Sequence, residues 1–445
     1  MVLSSHLTMI TRRILLVSTL LAATSWLASA EFAIRDGDRV VFLGDSITEQ
    51  RLYTTYIEAY ALTRHPAWKL SFRNVGWGGD TSWLRQRAHP DEAKLFAAED
   101  EAQQRMIEDS VGKGLSRDVL PLKPTFVTIK IGMNDHSYQK FRPDIFKAYT
   151  RSQSQLQKVL SGAGARVSFL TPQPIEEKRA DPDQDVRNQS LRKFSDGLKQ
   201  VAQERGAGFV DQFDPYMAIM MKERASDPKA FIGGGDAVHP GPAGQTIMAW
   251  AVLKGLGATA PVSSASITLP AGGVETHGCK VGKVAVSGGG VSFDRLDESL
   301  PFPVDERAEA ALKIAPILED LSRYELGVSG LAAGTYEVLI DGESVLKTDA
   351  EALKKGVNLS NNAGPITKQA RELLGEVFKK NNSFFHRWRD VQLYSFPGWA
   401  QGAETEARRS AELKKLDEEV VAGERKIEGL RKPASHHFEI KRLTP

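Results

Sequence analysis

Along the first 258 residues, short apolar runs alternate with longer stretches of helical periodicity. Val40-Val41-Phe42-Leu43 places four apolar residues in a row between Asp38-Arg39 and Gly44-Asp45-Ser46. That pattern belongs to a strand buried on both faces, since a half-exposed strand alternates instead. Residues 70–75, 125–131, 166–171 and 208–210 are further short apolar strand candidates. Helical patterns lie between them at 53–63, in a charged run at 91–108, at 145–160 and at 186–204. The last covers 243–256, with Pro242 at its start, where a missing N–H costs nothing. Strands alternating with helices predict a parallel sheet covered on both faces, hence a three-layer α/β/α domain over residues 31–258.

The pattern changes near residue 259. Ala260-Pro261-Val262-Ser263-Ser264 reads as a linker, and the chain beyond it is punctuated by glycine. Tyr324, Leu326 and Val328 alternate with polar partners, as do Tyr336, Val338 and Ile340, before the hairpin signal Asp341-Gly342. Residues 259–348 are therefore expected to form a small β-rich module with one helical insertion at 305–318. Residues 349–445 are expected to form a helical extension. In it Ile366, Ala370, Leu373 and Val377 share one helix face, and Leu413, Leu416, Val420, Ile427 and Leu430 make a second stripe. The second stripe is short for a coiled coil and is interrupted by Gly423, so it reads as a surface helix packed on its own protein. Phe384, Phe385, Trp388 and Trp399 lie between the two helices and read as packing.

Composition adds the compartment. Arg12 and Arg13 precede the apolar run 14–22, and Ala28-Ser29-Ala30 comes after it. This is the arrangement of a cleavable secretory leader over residues 1–30, and it predicts an exported protein, periplasmic or secreted. An uncleaved anchor is the alternative. No membrane insertion is expected once the leader is removed. The chain has 58 Lys and Arg against 56 Asp and Glu, and the leader contains two arginines and no acid, so the remainder is balanced. No basic block suggests nucleic acid. Cys279 is the only cysteine, which excludes an internal disulfide.

Four stretches bear chemistry. Gly44-Asp45-Ser46 puts a hydroxyl at the carboxyl edge of the first strand, where open α/β folds act on ligands, although Asp45 or Ser46 can equally cap the next helix. Asn74-Val75-Gly76-Trp77-Gly78-Gly79-Asp80-Thr81 comes after the second strand and can turn a backbone N–H toward an oxyanion, or be a plain turn. Gly132-Met133-Asn134-Asp135 comes after the third, and its amide can donate to the same oxyanion or serve an ordinary turn. In Asp236-Ala237-Val238-His239-Pro240, Pro240 holds His239 out of the helical region. Asp236 can then orient the imidazole while the far nitrogen accepts a proton from a serine. His136 reads as structural, and His277 and Cys279 lack partners for a metal; no cofactor motif and no phosphate-binding loop occurs.

Taken together and in this order, the four blocks resemble the SGNH (GDSL-type) hydrolase family over about residues 38–257, as in its exported bacterial members with a C-terminal extension. The resemblance implies a flavodoxin-like parallel sheet and an esterase without cofactor or metal. It implies Ser46 as nucleophile, His239 as general base and Asp236 as its orienter. The oxyanion donors it implies are the Ser46 N–H, the Gly79 N–H and the Asn134 side chain; Gly79 rather than Gly78 is chosen for its place just before Asp80-Thr81. There is no Gly-x-Ser-x-Gly elbow of the lipase type. The expected activity is hydrolysis of small O-acyl esters, acetyl foremost, on a small molecule or a polysaccharide. Alternatives are a lipid acyl hydrolase or thioesterase of the same family, or a catalytically silent glycan-binding protein. Trp77 and Trp83 flank the Gly79 loop and either wall an acyl pocket or pack against helices. The oligomeric state is left open.

Overall fold

The computed structural model describes residues 31–178 and 181–443; the leader expected at residues 1–30 lies outside them. The order of elements is β1 (Arg39–Gly44), α1 (Ser46–Glu49), α2 (Leu52–Arg64), β2 (Ser71–Asn74), α3 (Arg85–Ala88), α4 (Glu92–Ala97) and α5 (Asp100–Asp118). Next come β3 (Phe126–Lys130), α6 (Pro143–Gly162), β4 (Arg166–Leu170), α7 (Val186–Arg205), β5 (Gly208–Val210), α8 (Phe213–Ser226) and α9 (Pro242–Gly255). The five strands form a parallel sheet in the order β2-β1-β3-β4-β5, the flavodoxin-like arrangement.

The apolar run of β1 is used on both sides, as the two-residue period of a strand requires. Val40 and Phe42 enter one core with Phe72, Phe126 and residues of α2, α8 and α9; Val41 and Leu43 enter the other with Val127, Ile129 and residues of α5, α6 and α7. Where β1 ends, a Cβ at Gly44 would lie 1.9 Å from Thr48 Oγ1, so only glycine lets α1 turn back this tightly over the strand.

The residues beyond 258 do not hang from a linker. The expected linker is strand β6 (Pro261–Thr268), with Pro261 at the first strand position, where no ladder donor is lost. With β7 (Gly273–His277), β8 (Cys279–Ser287), β9 (Gly290–Asp297), α10 (Ile317–Leu321), β10 (Arg323–Ser329), β11 (Thr335–Ile340), β12 (Glu343–Asp349), α11 (Ala350–Lys355) and β13 (Val357–Asn358), it builds two further sheets. One is mixed, in the order β13-β10-β6-β7; the other is antiparallel. The chain then makes α12 (Pro365–Phe385), α13 (Ala403–Leu430) and β14 (Ser435–Arg442). The helical reading of the extension is corrected at its end, because β14 returns to the antiparallel sheet between β11 and β9. His436, Phe438 and Ile440 face inward there, an alternation incompatible with a helix.

Two insertions tie this region to the first domain. Phe302, Val304, Ile317 and Leu321, from the turn of 3-10 helix Glu306–Lys313 and its flanks, join the core under α2 and α9, as do Leu373, Leu374 and Val377 of α12. Helix α13 lies along α12 with Leu416, Val420 and Ile427 buried. Gly423, which interrupts the stripe, sits over Lys380, where a Cβ would approach to 3.0 Å. No helix among the described residues is long and apolar enough to cross a membrane.

Candidate active site

The structure brings Ser46, His239 and Asp236 into one hydrogen-bonded line. Ser46 is the first residue of α1, half-buried at the carboxyl edge of β1. Asp45 does cap α1, its carboxylate accepting from the Ile47 N–H at 3.0 Å, so the capping role and a half-buried serine coexist on adjacent residues. Ser46 Oγ lies 2.9 Å from His239 Nε2, and His239 Nδ1 lies 3.0 Å from Asp236 Oδ2. A protonated Nδ1 facing the carboxylate leaves Nε2 free to accept from the hydroxyl. Asp236 also accepts from the N–H groups of Val238 (2.8 Å) and His239 (2.7 Å). Burial works to raise the Asp236 carboxyl, but these donors and the imidazole outweigh it and hold it below the usual carboxylate range. The loop is pinned from beneath: Glu176 accepts from the Ile232 and Gly233 N–H groups, and Gln173 donates to the Val238 carbonyl.

The three expected oxyanion donors lie past the carboxyl ends of β1, β2 and β3, neighbouring strands of one parallel sheet. Among the described residues, neither the Ser46 N–H nor the Gly79 N–H donates to a protein acceptor. Asn134 donates one Nδ2 hydrogen to the Asp80 carbonyl at 2.9 Å, which leaves the other amide hydrogen available. Its Oδ1 accepts from the Tyr138 hydroxyl at 3.0 Å. Tyr138 carries no sequence signal of a site residue. It reaches Asn134 because Ser137 and Tyr138 both adopt left-handed backbone, φ 55 each, a conformation that costs non-glycine residues about 1–3 kcal/mol and collects at functional sites.

Beneath the site lie buried charges that sequence pattern does not single out. Lys130, at the end of β3, places Nζ 3.7 Å from Asp45 Oδ1 with both side chains fully buried. Burial pushes the Lys130 ammonium down, against the pull of Asp45. Arg87 donates to Asp80 and Asp118 at 2.7 Å each and to the Val75 carbonyl at 2.5 Å. It thereby fixes the loop that carries Gly79. Asp118 has Arg117 as a second cation, whereas among the described residues Asp80 otherwise receives only the Thr81 and Gln86 N–H groups. Replacing Arg87 with alanine is therefore expected to destabilise the fold by about 3–5 kcal/mol, the cost of stranding a buried charge. Urea midpoints would show the loss, and a midpoint within error of wild type would contradict it.

The tryptophans divide. Trp83 is buried in the core, edge-on to Phe96 at 5.3 Å, with its indole N–H on Glu92, and walls no cleft. Trp77 stays half-buried beside the Gly79 loop. His136 is buried with neither ring nitrogen partnered, and burial lowers it to about 4, so it is a neutral packing group against Tyr138 and Phe194. No group of three His, Cys, Asp or Glu residues among those described is arranged to hold a metal ion.

No curated protein matches the chain. A gut microbial diltiazem-metabolizing enzyme shares the fold, with TM-score 0.75 and 22% identity, over 92% of this chain and 98% of that one. The span is too long to be confined to the first domain, so the fold beyond residue 258 is shared as well. The acetylxylan esterase Axe2 from Geobacillus stearothermophilus aligns over 51% of this chain and 96% of its own, at 23% identity and TM-score 0.39. An alpha/beta hydrolase enzyme from the metagenome of Lake Arreo, Spain, aligns over 51% and 98%, at 23% identity and TM-score 0.36. Residues 42–247, the segment that holds all four motifs, match the GDSL-like lipase/acylhydrolase family, so the chain carries a domain of that family and is an ester-hydrolysing enzyme.

Proposed function

We propose that this enzyme is a serine esterase that removes small O-acyl groups, acetyl foremost, from carbohydrate esters. The observation that supports it most is the continuous line from Ser46 Oγ through His239 to Asp236, with bonds of 2.9 and 3.0 Å. In the proposed reaction Ser46 Oγ attacks the ester carbonyl as His239 Nε2 takes its proton. The negative charge that develops on the carbonyl oxygen is met by the Ser46 and Gly79 N–H groups and the free Asn134 amide hydrogen. Imidazolium then protonates the departing alkoxide, leaving an acyl-serine. Water, deprotonated by the same His239, attacks that acyl group, and return of the proton to Ser46 releases the carboxylic acid. Asp236 keeps the ring in the tautomer that both half-reactions need.

The acyl preference rests on what surrounds Ser46. Glu49 and Gln86 lie against Gly78 and Gly79, Arg85 donates to the Gly79 carbonyl, and Tyr138 donates to Asn134, so polar side chains line the loop beside Ser46. A polar rim suits a hydroxylated leaving group and a short acyl chain. The leader-like residues 1–30 add the proposal that the enzyme acts outside the cytoplasm, on external polymers. The test is kcat/KM for a chromogenic series from acetate to octanoate, and then acetate release from a panel of acetylated polysaccharides. Acetate is expected to be the best substrate of the series. An apolar pocket gains about 1–3 kcal/mol per methylene, so activity that climbs steadily with length would replace this reading with a lipid acyl hydrolase.

A further inference from the structure

The residues beyond 258 also reach the loop that carries Gly79. α12 runs directly into a stretch of π-helix, His386–Gln392, a wide form that is rare and collects at functional sites. It presents two consecutive side chains to one indole. Trp388, buried, meets Trp77 edge-on at 5.9 Å with the planes at 87°. The Arg389 guanidinium lies over the same ring, 3.3 Å from its centroid. Arg389 Nε is also 3.8 Å from Glu49 Oε1.

Glu49 ends α1, the helix that Ser46 begins. Its other carboxylate oxygen occupies the space a side chain on Gly78 would need: a Cβ there would be 2.6 Å from Glu49 Oε2 and 3.9 Å from Ser46 Cβ. Arg389 thus touches both pieces of chain whose relative placement sets the distance from Ser46 Oγ to the Gly79 N–H. It meets α1 through Glu49 and the glycine loop through Trp77. The loop is held inwardly at Trp77, whose N–H donates to the Gly44 carbonyl at 3.0 Å, while the N–H groups of Gly78 and Gly79 donate to no protein acceptor among the described residues. Arg85 also holds the loop, donating to the Gly79 carbonyl at 2.7 Å, and of the guanidiniums around the Trp77 ring Arg389 is nearer than Arg117 (5.1 Å) and Arg87 (5.3 Å).

We infer that Arg389 is a positioning residue for ester hydrolysis, by which the C-terminal extension clamps the oxyanion loop against the nucleophile's helix. The inference rests on the roles proposed for Ser46 and Gly79. A flat, delocalised cation suits the task, since it stacks face-on against an indole while facing a carboxylate, whereas a lysine ammonium has no planar face to stack. Displacement of catalytic groups by about 1 Å is enough to cost about 10²-fold in rate.

The test is steady-state hydrolysis of a chromogenic acetate ester by the full chain carrying Arg389→Ala. Rates are normalised to the folded fraction by circular dichroism, with Ser46→Ala assayed alongside. The expected result is a kcat lower by about 10²-fold with KM little changed, because the loop serves the transition state more than the ground state. If the alanine variant folds poorly, Arg389→Lys gives the same test: it keeps the charge beside Glu49, loses the planar stack, and should lower kcat by a smaller amount. A kcat per folded molecule within about twofold of wild type would overturn the inference, since a role limited to stability leaves the folded enzyme's turnover intact. An inactive Ser46→Ala beside Arg389 variants of wild-type activity would reject the clamp alone. A fully active Ser46→Ala would reject the reading of the site on which the clamp rests.

Discussion

Ser46→Ala is expected to lower kcat by about 10⁴–10⁶-fold, to abolish labelling by a fluorophosphonate probe, and to leave thermal stability almost unchanged. The size reflects how such groups act together: once the nucleophile is gone, the base and its orienter have nothing to activate, and only oxyanion binding and substrate placement remain. The small effect on stability comes from the surroundings. Ser46 is half-buried, its hydroxyl bonds to His239 alone, and the cap of α1 is supplied by Asp45. His239→Ala should lose nearly as much activity. Asp236→Ala should lose less, since its carboxylate is two-thirds exposed and water can stand in for part of its role. The decisive measurement is labelling of the wild-type and Ser46→Ala proteins at equal concentration. Persistent labelling in the variant would remove Ser46 from the mechanism.

The parts of this molecule that are legible in sequence are those where local pattern and tertiary role coincide. Val40 to Leu43 reads as a doubly buried strand because its side chains do enter two separate cores. Ser46, Gly79 and Asn134 stand out because each lies just past a strand's carboxyl end, so that a parallel sheet must place them along one edge. Other elements carry misleading or weak signals. α8 escapes the pattern: Pro215 in its first turn resembles a breaker, and its buried residues Phe213, Tyr216, Met217, Ile219 and Met220 do not form a clean stripe. Pro261 looks like a linker residue and is a strand start. β14 pairs with strands about a hundred residues or more upstream, and nothing local indicates them. Tyr138 depends on left-handed backbone at two non-glycine residues, and Arg389 on a contact between a π-helix and a loop far earlier in the chain. Neither belongs to any motif, because the fold alone brings Tyr138 to Asn134 and Arg389 to Glu49 and Trp77.

Asn134→Ala is expected to lower kcat by about 10²–10³-fold with little change in KM, the loss typical of removing one oxyanion donor. The side chain is fixed at both ends. A carbonyl can only accept, so the contact with the Asp80 oxygen identifies the amide nitrogen, and the amide oxygen must be the atom that meets the Tyr138 hydroxyl. The phenol remains a donor throughout the working range, because burial, with Asp45 adding to it, pushes Tyr138 up to about 12. Held this way, Asn134 has one N–H spent on the protein and one that, in the proposed mechanism, meets charge appearing only in the transition state. Tyr138→Phe should therefore lower kcat in the same direction by less, since Asp80 still anchors the nitrogen. Asn134→Asp should be at least as damaging as alanine, because a carboxylate would face both the Asp80 carbonyl and the developing oxyanion. A raised KM at unchanged kcat in Asn134→Ala would instead assign the amide to ground-state substrate binding, leaving the oxyanion to the two backbone donors.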